Sequence, residues 1–195
     1  MLPRFLRANF PKLDVDCVEI DPVVAELAEE YFGLEPDDHL RVHVADGIDF
    51  IREAPAQKYH ITIIDVNATE DDKTLEAPPP DFITKRFIKE LRRVTKSGGI
   101  MVMNILCASR ALREDIFQNL RDAFHGKLCF LKDEDPDADE NYVVFTLNLE
   151  DDSWPPKVQA LRERVEHLQE EVPALRQFKL APRVQKEFQV RCDRT

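Results

Sequence analysis

Residues 14–22 read Asp-Val-Asp-Cys-Val-Glu-Ile-Asp-Pro, a short β-rich run that ends in acidic residues where a helix begins. In an open parallel sheet, a carboxylate at this position accepts hydrogen bonds from the two hydroxyls of a bound ribose. The stretch therefore predicts a site for a nucleotide-type cofactor. Only thirteen residues precede Asp14, whereas a strand and a glycine-rich turn usually lie upstream of such an acid. We expect the chain to lack that strand, the first of its fold, and that turn.

The composition is that of a globular protein, since 43% of the 195 residues are apolar. The formal net charge is -11, and non-specific binding to nucleic acid or anionic lipid requires a basic surface. We therefore expect no direct nucleic-acid partner and no membrane partner. The four cysteines form no zinc-type pair, and no apolar run reaches the roughly 18 residues of a membrane span. These features predict a cytoplasmic protein without a metal site.

Apolar periodicity on both sides of residues 14–22 alternates between strands and helices. Five β/α alternations are followed by two strands, 128–131 and 142–149, with no room for a helix between them. This order predicts an α/β fold, a doubly wound Rossmann-like sheet with a reversed edge strand. We divide the chain into a sheet domain over residues 1–150 and a helical extension over residues 151–195 that packs on the same domain.

The periodicity also predicts three local features. A helix from Pro22 to Gly33 should bury one apolar face against the sheet. The residues of this face are Val23, Val24, Leu27, Ala28, Tyr31 and Phe32. A second helix should begin near Phe82 and be capped by Ser97, Gly98 and Gly99. Residues 67–80 should form a polar loop before it.

Polar side chains stand at the carboxyl ends of the predicted strands, where ligands bind in sheets of this kind. They are Glu19 and Asp21, Asp46, Asp65 with Asn67, and Asn104. An Asp at such a position also serves as a helix N-cap, and for a single Asp that explanation would suffice. Acids at three successive strand ends favour a binding site. Asp46 would contact an adenine amino group beside Gly47, and Asp65 would face the reacting group.

Four motifs resemble those of the S-adenosylmethionine-dependent methyltransferases of the spermidine-synthase-like branch. They are Val18-Glu19-Ile20-Asp21-Pro22, Val44-Ala45-Asp46-Gly47-Ile48-Asp49-Phe50, Ile64-Asp65-Val66-Asn67 and Pro78-Pro79-Pro80-Asp81-Phe82. The first two are shared by the whole branch. The proline triplet is more particular to members that methylate translation elongation factor 1-alpha, and the similarity runs from Leu2 to about Val190.

The resemblance implies a class I methyltransferase fold and methyl transfer from S-adenosylmethionine to an amine of elongation factor 1-alpha, either its N-terminal α-amine or a lysine. It assigns cofactor binding to Glu19, Ile20, Asp46, Gly47 and Asp65. It assigns catalysis to Asp65, which would balance the charge on the amine, and to Asn67, which would orient the amine. A separate N-terminal methyltransferase domain is expected in the full-length protein.

Two alternatives stay open beside this hypothesis. Aminopropyltransferases of the same branch carry an acid a few residues after the position of Asp65, whereas Ala68 and Thr69 follow Asn67 here. That difference argues against polyamine synthesis. The other alternative is a non-catalytic fragment that acts as a binding module, because the missing strand and glycine-rich loop would hold part of the cofactor.

Overall fold

The computed structural model describes residues 2–68, 74–132, 141–149, 157–178, 180, 182 and 188–190. The predicted mixed α/β fold is confirmed. The helices are α1 (Leu2–Asn9), α2 (Pro22–Phe32), α3 (Gly47–Glu53), α4 (Lys85–Val94), α5 (Arg110–Ala123) and α6 (Val158–Glu171), with 3-10 helices at Pro80–Ile83 and Pro173–Phe178. The strands are β1 (Val15–Glu19), β2 (Leu40–Val44), β3 (Tyr59–Ile64), β4 (Leu75–Ala77), β5 (Thr95–Cys107), β6 (Leu128–Lys132), β7 (Asn141–Leu147) and β8 (Phe188–Val190).

The chain divides into two compact units, which we call unit 1 (Met1–Glu53) and unit 2 (Ala54–Thr195). The domain boundary predicted at residues 150 and 151 lies outside the described residues, and it stays a prediction.

Unit 1 is built on a two-stranded parallel sheet of β1 and β2. Its register pairs Glu19 with Val44, so the two strands end at the same edge. Polar side-chain contacts join the strands on one face. The side chain of Asp16 is 6% exposed and contacts Arg41 Nε at 2.8 Å and His43 Nε2 at 3.0 Å.

Helix α2 begins and ends where the sequence predicts. The Asp21 side chain accepts a hydrogen bond from the Val23 backbone N–H, Pro22 occupies the first turn, and Gly33 ends the helix with a left-handed φ of 64°.

The predicted burial of one α2 face is wrong. Its large apolar residues are exposed, namely Val23 (56%), Val24 (48%), Leu27 (42%), Tyr31 (67%) and Phe32 (61%). Ala28 is half-buried, and Ala25 is the buried residue of the helix. Helices in doubly wound folds pack across several neighbouring strands, whereas the sheet of unit 1 has two. The sheet of unit 1 is therefore too narrow to cover this face.

Unit 2 is built on a six-stranded sheet in the order β3-β5-β7-β6-β8, with β4 also paired to β5. β3 and β5 are parallel, whereas β7 is antiparallel to both β5 and β6. The predicted reversed strand is confirmed, but its predicted place at the edge of the sheet is wrong, because β7 lies between β5 and β6 and β8 occupies the position beyond β6. β4 lies inside the predicted loop 67–80, and β8 pairs with β6. The sequence predicted neither strand, because three residues are too few for a period of two to be recognised.

The core of unit 2 lies between one face of β5 and helices α4 and α5. On this face Met101, Met103, Ile105 and Cys107 are at most 1% exposed. The helices cover it with Phe87, Ile88, Leu91, Val94, Ile116, Phe117 and Leu120. Burial of each large apolar side chain contributes roughly 1.5 to 3 kcal/mol. The opposite face of β5 is half-buried.

Helix α4 begins later and ends earlier than predicted. Phe82 lies in a 3-10 helix, and the Thr84 hydroxyl then caps α4 by accepting a hydrogen bond from the Phe87 N–H at 3.3 Å. α4 ends at Val94, directly before β5.

Ser97, Gly98 and Gly99 therefore belong to β5 and do not cap α4. The β3/β5 register shifts at this point, which is a β-bulge or irregularity. A Cβ at Gly99 would lie 2.8 Å from the carbonyl oxygen of His60. Glycine is needed here because the backbones of the two strands approach closely.

Candidate functional site

Glu19 is the last residue of β1 and is half-buried. Its Oε1 accepts a hydrogen bond from the Asp21 backbone N–H at 3.0 Å, and its Oε2 accepts none from a described residue. One oxygen thus holds the side chain in place while the other is available to a ligand. The next residue, Ile20, is 66% exposed and adds an apolar side chain next to this carboxylate.

The charge of Glu19 also acts on Cys17. Burial raises the pKa of the Cys17 thiol above its usual value of 9.0, and the negative charge of Glu19 raises it further. The thiol is therefore protonated at neutral pH. This state excludes Cys17 as an activated nucleophile.

Asp46 follows β2 and caps α3. Its Oδ1 accepts a hydrogen bond from the Ile48 backbone N–H at 2.7 Å, and its Oδ2 accepts none from a described residue. Gly47 is the first residue of the helix. The N-cap explanation therefore accounts for one oxygen of Asp46 and leaves the second available.

The parallel register brings Glu19 and Asp46 to the same edge of the sheet in unit 1. Glu19 pairs with Val44, and the Ala45 N–H donates a hydrogen bond to the Glu19 carbonyl oxygen at 2.9 Å. Asp46 is the next residue. Two carboxylates, each with an oxygen free of described partners, thus stand where β1 and β2 end.

Asp65 follows the buried Ile64 at the end of β3 and is exposed. Because Ile64 pairs with Met103, Asp65 lies beside Asn104 of β5. The Asn104 Nδ2 donates a hydrogen bond to Asp65 Oδ1 at 3.2 Å. Residues 65–68 form no helix, so helix capping does not account for this acid.

Asn67 is exposed two residues beyond Asp65. The Ala68 N–H donates a hydrogen bond to the Glu76 carbonyl oxygen at 2.8 Å, which attaches this segment to β4. Unit 2 therefore carries Asp65, Asn67 and Asn104, whereas unit 1 carries Glu19, Ile20, Asp46 and Gly47. The sequence placed Asn104 at a strand end and gave it no role; the strand-end placement is wrong, because β5 continues to Cys107 through its pairing with β4 and β7. The alternation of side chains along β3 and β5 puts Asp65 and Asn104 on the same face of the sheet. This alternation was the signal from which their hydrogen bond could have been predicted.

Metal sites and membrane spans are two further features that a chain of this kind could carry. Across the described ranges, no three His, Cys, Asp or Glu side chains are grouped so that they could hold a metal ion. None of the helices in those ranges is long and apolar enough to cross a membrane.

Comparison with known proteins defines the class of the chain. The family described as Spermine/spermidine synthase domain matches residues 7–134, which is more than half of the chain. The chain belongs to this family. Glu19, Asp46, Asp65 and Asn104 all lie in the matched range.

Individual relatives include both methyltransferases and aminopropyltransferases. The chain is 33% identical over 127 residues to the mouse eEF1A lysine and N-terminal methyltransferase, and the match covers 63% of this chain and 18% of that protein. It is 32% identical over 111 residues to the polyamine aminopropyltransferase of Vibrio vulnificus, with 56% of this chain and 35% of that protein covered.

A solved structure is similar over most of the chain. The crystal structure of human Methyltransferase-like protein 13 in complex with SAH matches with a TM-score of 0.75 and 26% identity, and it covers 87% of this chain and 76% of that chain. The chain spans less than a fifth of the mouse relative, so the similarity concerns one part of the longer protein.

Proposed function

We propose that the chain is an S-adenosylmethionine-dependent methyltransferase domain that N-methylates an amine of translation elongation factor 1-alpha. The observation that carries the proposal is an exposed carboxylate, Asp65, that is held by Asn104 and is followed by the neutral residues Val66, Asn67 and Ala68. The relatives named eEF1A lysine and N-terminal methyltransferase support the donor and the substrate.

The strand-end residues of unit 1 fit the cofactor. S-adenosylmethionine has a ribose diol and an adenine amino group, and both donate hydrogen bonds. Oε2 of Glu19 is assigned to the diol, and Oδ2 of Asp46 is assigned to the amino group. Ile20 offers apolar surface to the adenine ring, and Gly47 allows close approach of the backbone. Carboxylate acceptors make stronger hydrogen bonds than neutral ones.

Asp65 serves the chemical step. When bound, S-adenosylmethionine supplies a methyl group on a sulfonium, which a neutral amine accepts while a neutral thioether is released. The amine nitrogen becomes positive as it is methylated, and its extra proton passes to water. The Asp65 carboxylate stabilises this developing charge. Asn67 accepts a hydrogen bond from the amine and orients its lone pair.

Elongation factor 1-alpha is the proposed partner and the cytoplasm is the proposed compartment. Among the described residues the free thiol of Cys17 agrees with a reducing environment.

The second candidate function is aminopropyl transfer, which the family description and the Vibrio vulnificus relative favour. That reaction also uses an amine nucleophile, but its donor is decarboxylated S-adenosylmethionine. A third candidate is a binding module without catalysis.

Donor choice separates these functions. Calorimetric titration of the 195-residue chain with S-adenosylmethionine and with its decarboxylated analogue should give tighter binding of S-adenosylmethionine. Tighter binding of the analogue would support aminopropyl transfer instead. Absence of binding to either donor would reject both enzymatic functions for this chain and leave the binding module.

A further inference from the structure

Asn104 combines two features that a purely structural side chain rarely has. Its Nδ2 donates to Asp65 Oδ1 at 3.2 Å. Its Oδ1 is buried and accepts no hydrogen bond from any described residue. A buried oxygen without a partner is costly, because it has lost its hydrogen bonds to water and gained none in return.

The Asp65 carboxylate fixes the orientation of the Asn104 amide. Asp65 is an acceptor when ionised, so only the NH₂ group of Asn104 can face it favourably. Rotating the amide would place two oxygens against each other. The Oδ1 atom therefore points away from Asp65, which is an acceptor, and stays available to a hydrogen-bond donor.

The position of Asn104 in the sheet agrees with a binding role. Met103 and Ile105, its neighbours in β5, are fully buried on the helix-covered face. The strand pleat therefore turns Asn104 to the half-buried face, next to Asp65 at the carboxyl end of β3. This is the end of the sheet at which ligands bind in folds of this kind.

We propose that Asn104 is a substrate-binding residue, whose Oδ1 accepts a hydrogen bond from the N–H of the acceptor amine while its Nδ2 holds Asp65 in place. The inference rests on the proposed function and deepens it. The amine donates one N–H to Asn104 and lies against the Asp65 carboxylate, so that its lone pair is left for the methyl group.

Two substitutions test this role, and a third serves as a matched control. Asn104→Leu removes both hydrogen bonds at similar side-chain size, and Asn104→Thr keeps one hydroxyl. The control is Thr146→Val, because Thr146 also carries a buried oxygen without a described partner but pairs with Met101, away from the end of β5. For each variant the unfolding midpoint, the cofactor affinity and the kcat and KM for an acceptor peptide are measured.

We expect Asn104→Leu to lower kcat/KM for the peptide by about 10- to 100-fold, the effect of removing a hydrogen bond to a group that becomes charged. Cofactor affinity should stay within about twofold of wild type, because neither of the two hydrogen bonds that are removed, to the amine and to Asp65, is made with the cofactor. Asn104→Thr should recover part of the activity. Thr146→Val should leave activity unchanged. A lower unfolding midpoint in Asn104→Leu, with kcat/KM unchanged per folded molecule, would show a structural role and overturn the proposal.

Running the assay with both donors separates this inference from the proposed function. If wild type transfers aminopropyl instead of methyl, the proposed function fails, but the acceptor is still an amine and the Asn104 variants still test the hydrogen bond. An equal kcat/KM of Asn104→Leu and wild type with the active donor would overturn the role of Asn104. If neither donor gives transfer, both the proposed function and the role of Asn104 are overturned.

Discussion

Replacement of Glu19 by Gln should weaken S-adenosylmethionine binding while leaving the fold intact. The structure shows why this change is selective. Oε1 of Glu19 accepts the Asp21 N–H at 3.0 Å, and the Gln carbonyl oxygen can accept the same hydrogen bond. Only the second oxygen, which we assign to the ribose, is replaced by an NH₂ group.

The expected magnitude follows from the strength of the hydrogen bond that the substitution removes. A hydrogen bond to a charged group contributes about 1.5 to 3 kcal/mol, and each 1.4 kcal/mol changes Kd by a factor of about ten. Glu19→Gln should therefore raise Kd by about 10- to 100-fold. The lower end applies if the NH₂ group donates to one ribose hydroxyl.

Calorimetric titration of S-adenosylmethionine into wild type and variant measures this change directly. Glu26→Gln is the matched control, because Glu26 is exposed on α2 of the same unit and the substitution removes the same charge. Equal affinities of wild type and Glu19→Gln, with the same unfolding transition, would refute the assignment. An equal weakening in Glu26→Gln would show a general effect of net charge on a cationic ligand.

Three further predictions concern other acids. Asp46→Ala should lower the free energy of unfolding by about 1 kcal/mol, because the cap on the Ile48 N–H is removed. Asp46→Asn should keep the cap and weaken cofactor binding alone. Denaturant unfolding measures the first effect and calorimetry measures the second. A hydrogen bond from Arg7 lowers the pKa of Asp37 below its usual 3.8, so its stabilising contribution is present above about pH 4 and is lost as the pH falls through the lowered pKa. Arg7→Ala should reduce the dependence of unfolding free energy on pH below about 4. An unchanged pH dependence in this range would contradict the assignment. Asp65→Asn should lower kcat by roughly a hundredfold with cofactor affinity retained, and full activity would remove Asp65 from the catalytic role.

The sequence predicted those elements whose signals are local. Asp21, Pro22 and Gly33 define α2 because an N-cap, a first-turn proline and a left-handed C-cap each act within one helical turn. The strand-end acids were placed correctly for the same reason, since each follows directly after an apolar run.

Burial and strand pairing depended on interactions that no local pattern contains. The apolar residues of α2 have helical spacing, but what covers them is decided by the width of the sheet against which they pack. Gly98 and Gly99 have the pattern of a helix cap, whereas the role of Gly99 follows from the approach of the His60 backbone. The hydrogen bond between Asp65 and Asn104 joins residues 39 positions apart, and only the register of β3 and β5 defines it.

Methyl transfer to a defined amine tests the central claim most directly. The chain is incubated with S-adenosylmethionine labelled in its methyl group and with a peptide that copies the N-terminus of elongation factor 1-alpha. Two matched peptides carry an acetylated α-amine, and one of them contains a lysine whereas the other does not. We predict label in the peptide with a free amine, strongly reduced label with Asp65→Asn, and none in the acetylated peptide that lacks lysine. Equal label in all three peptides, or none in any of them from a chain that binds S-adenosylmethionine, would contradict amine methylation by this domain.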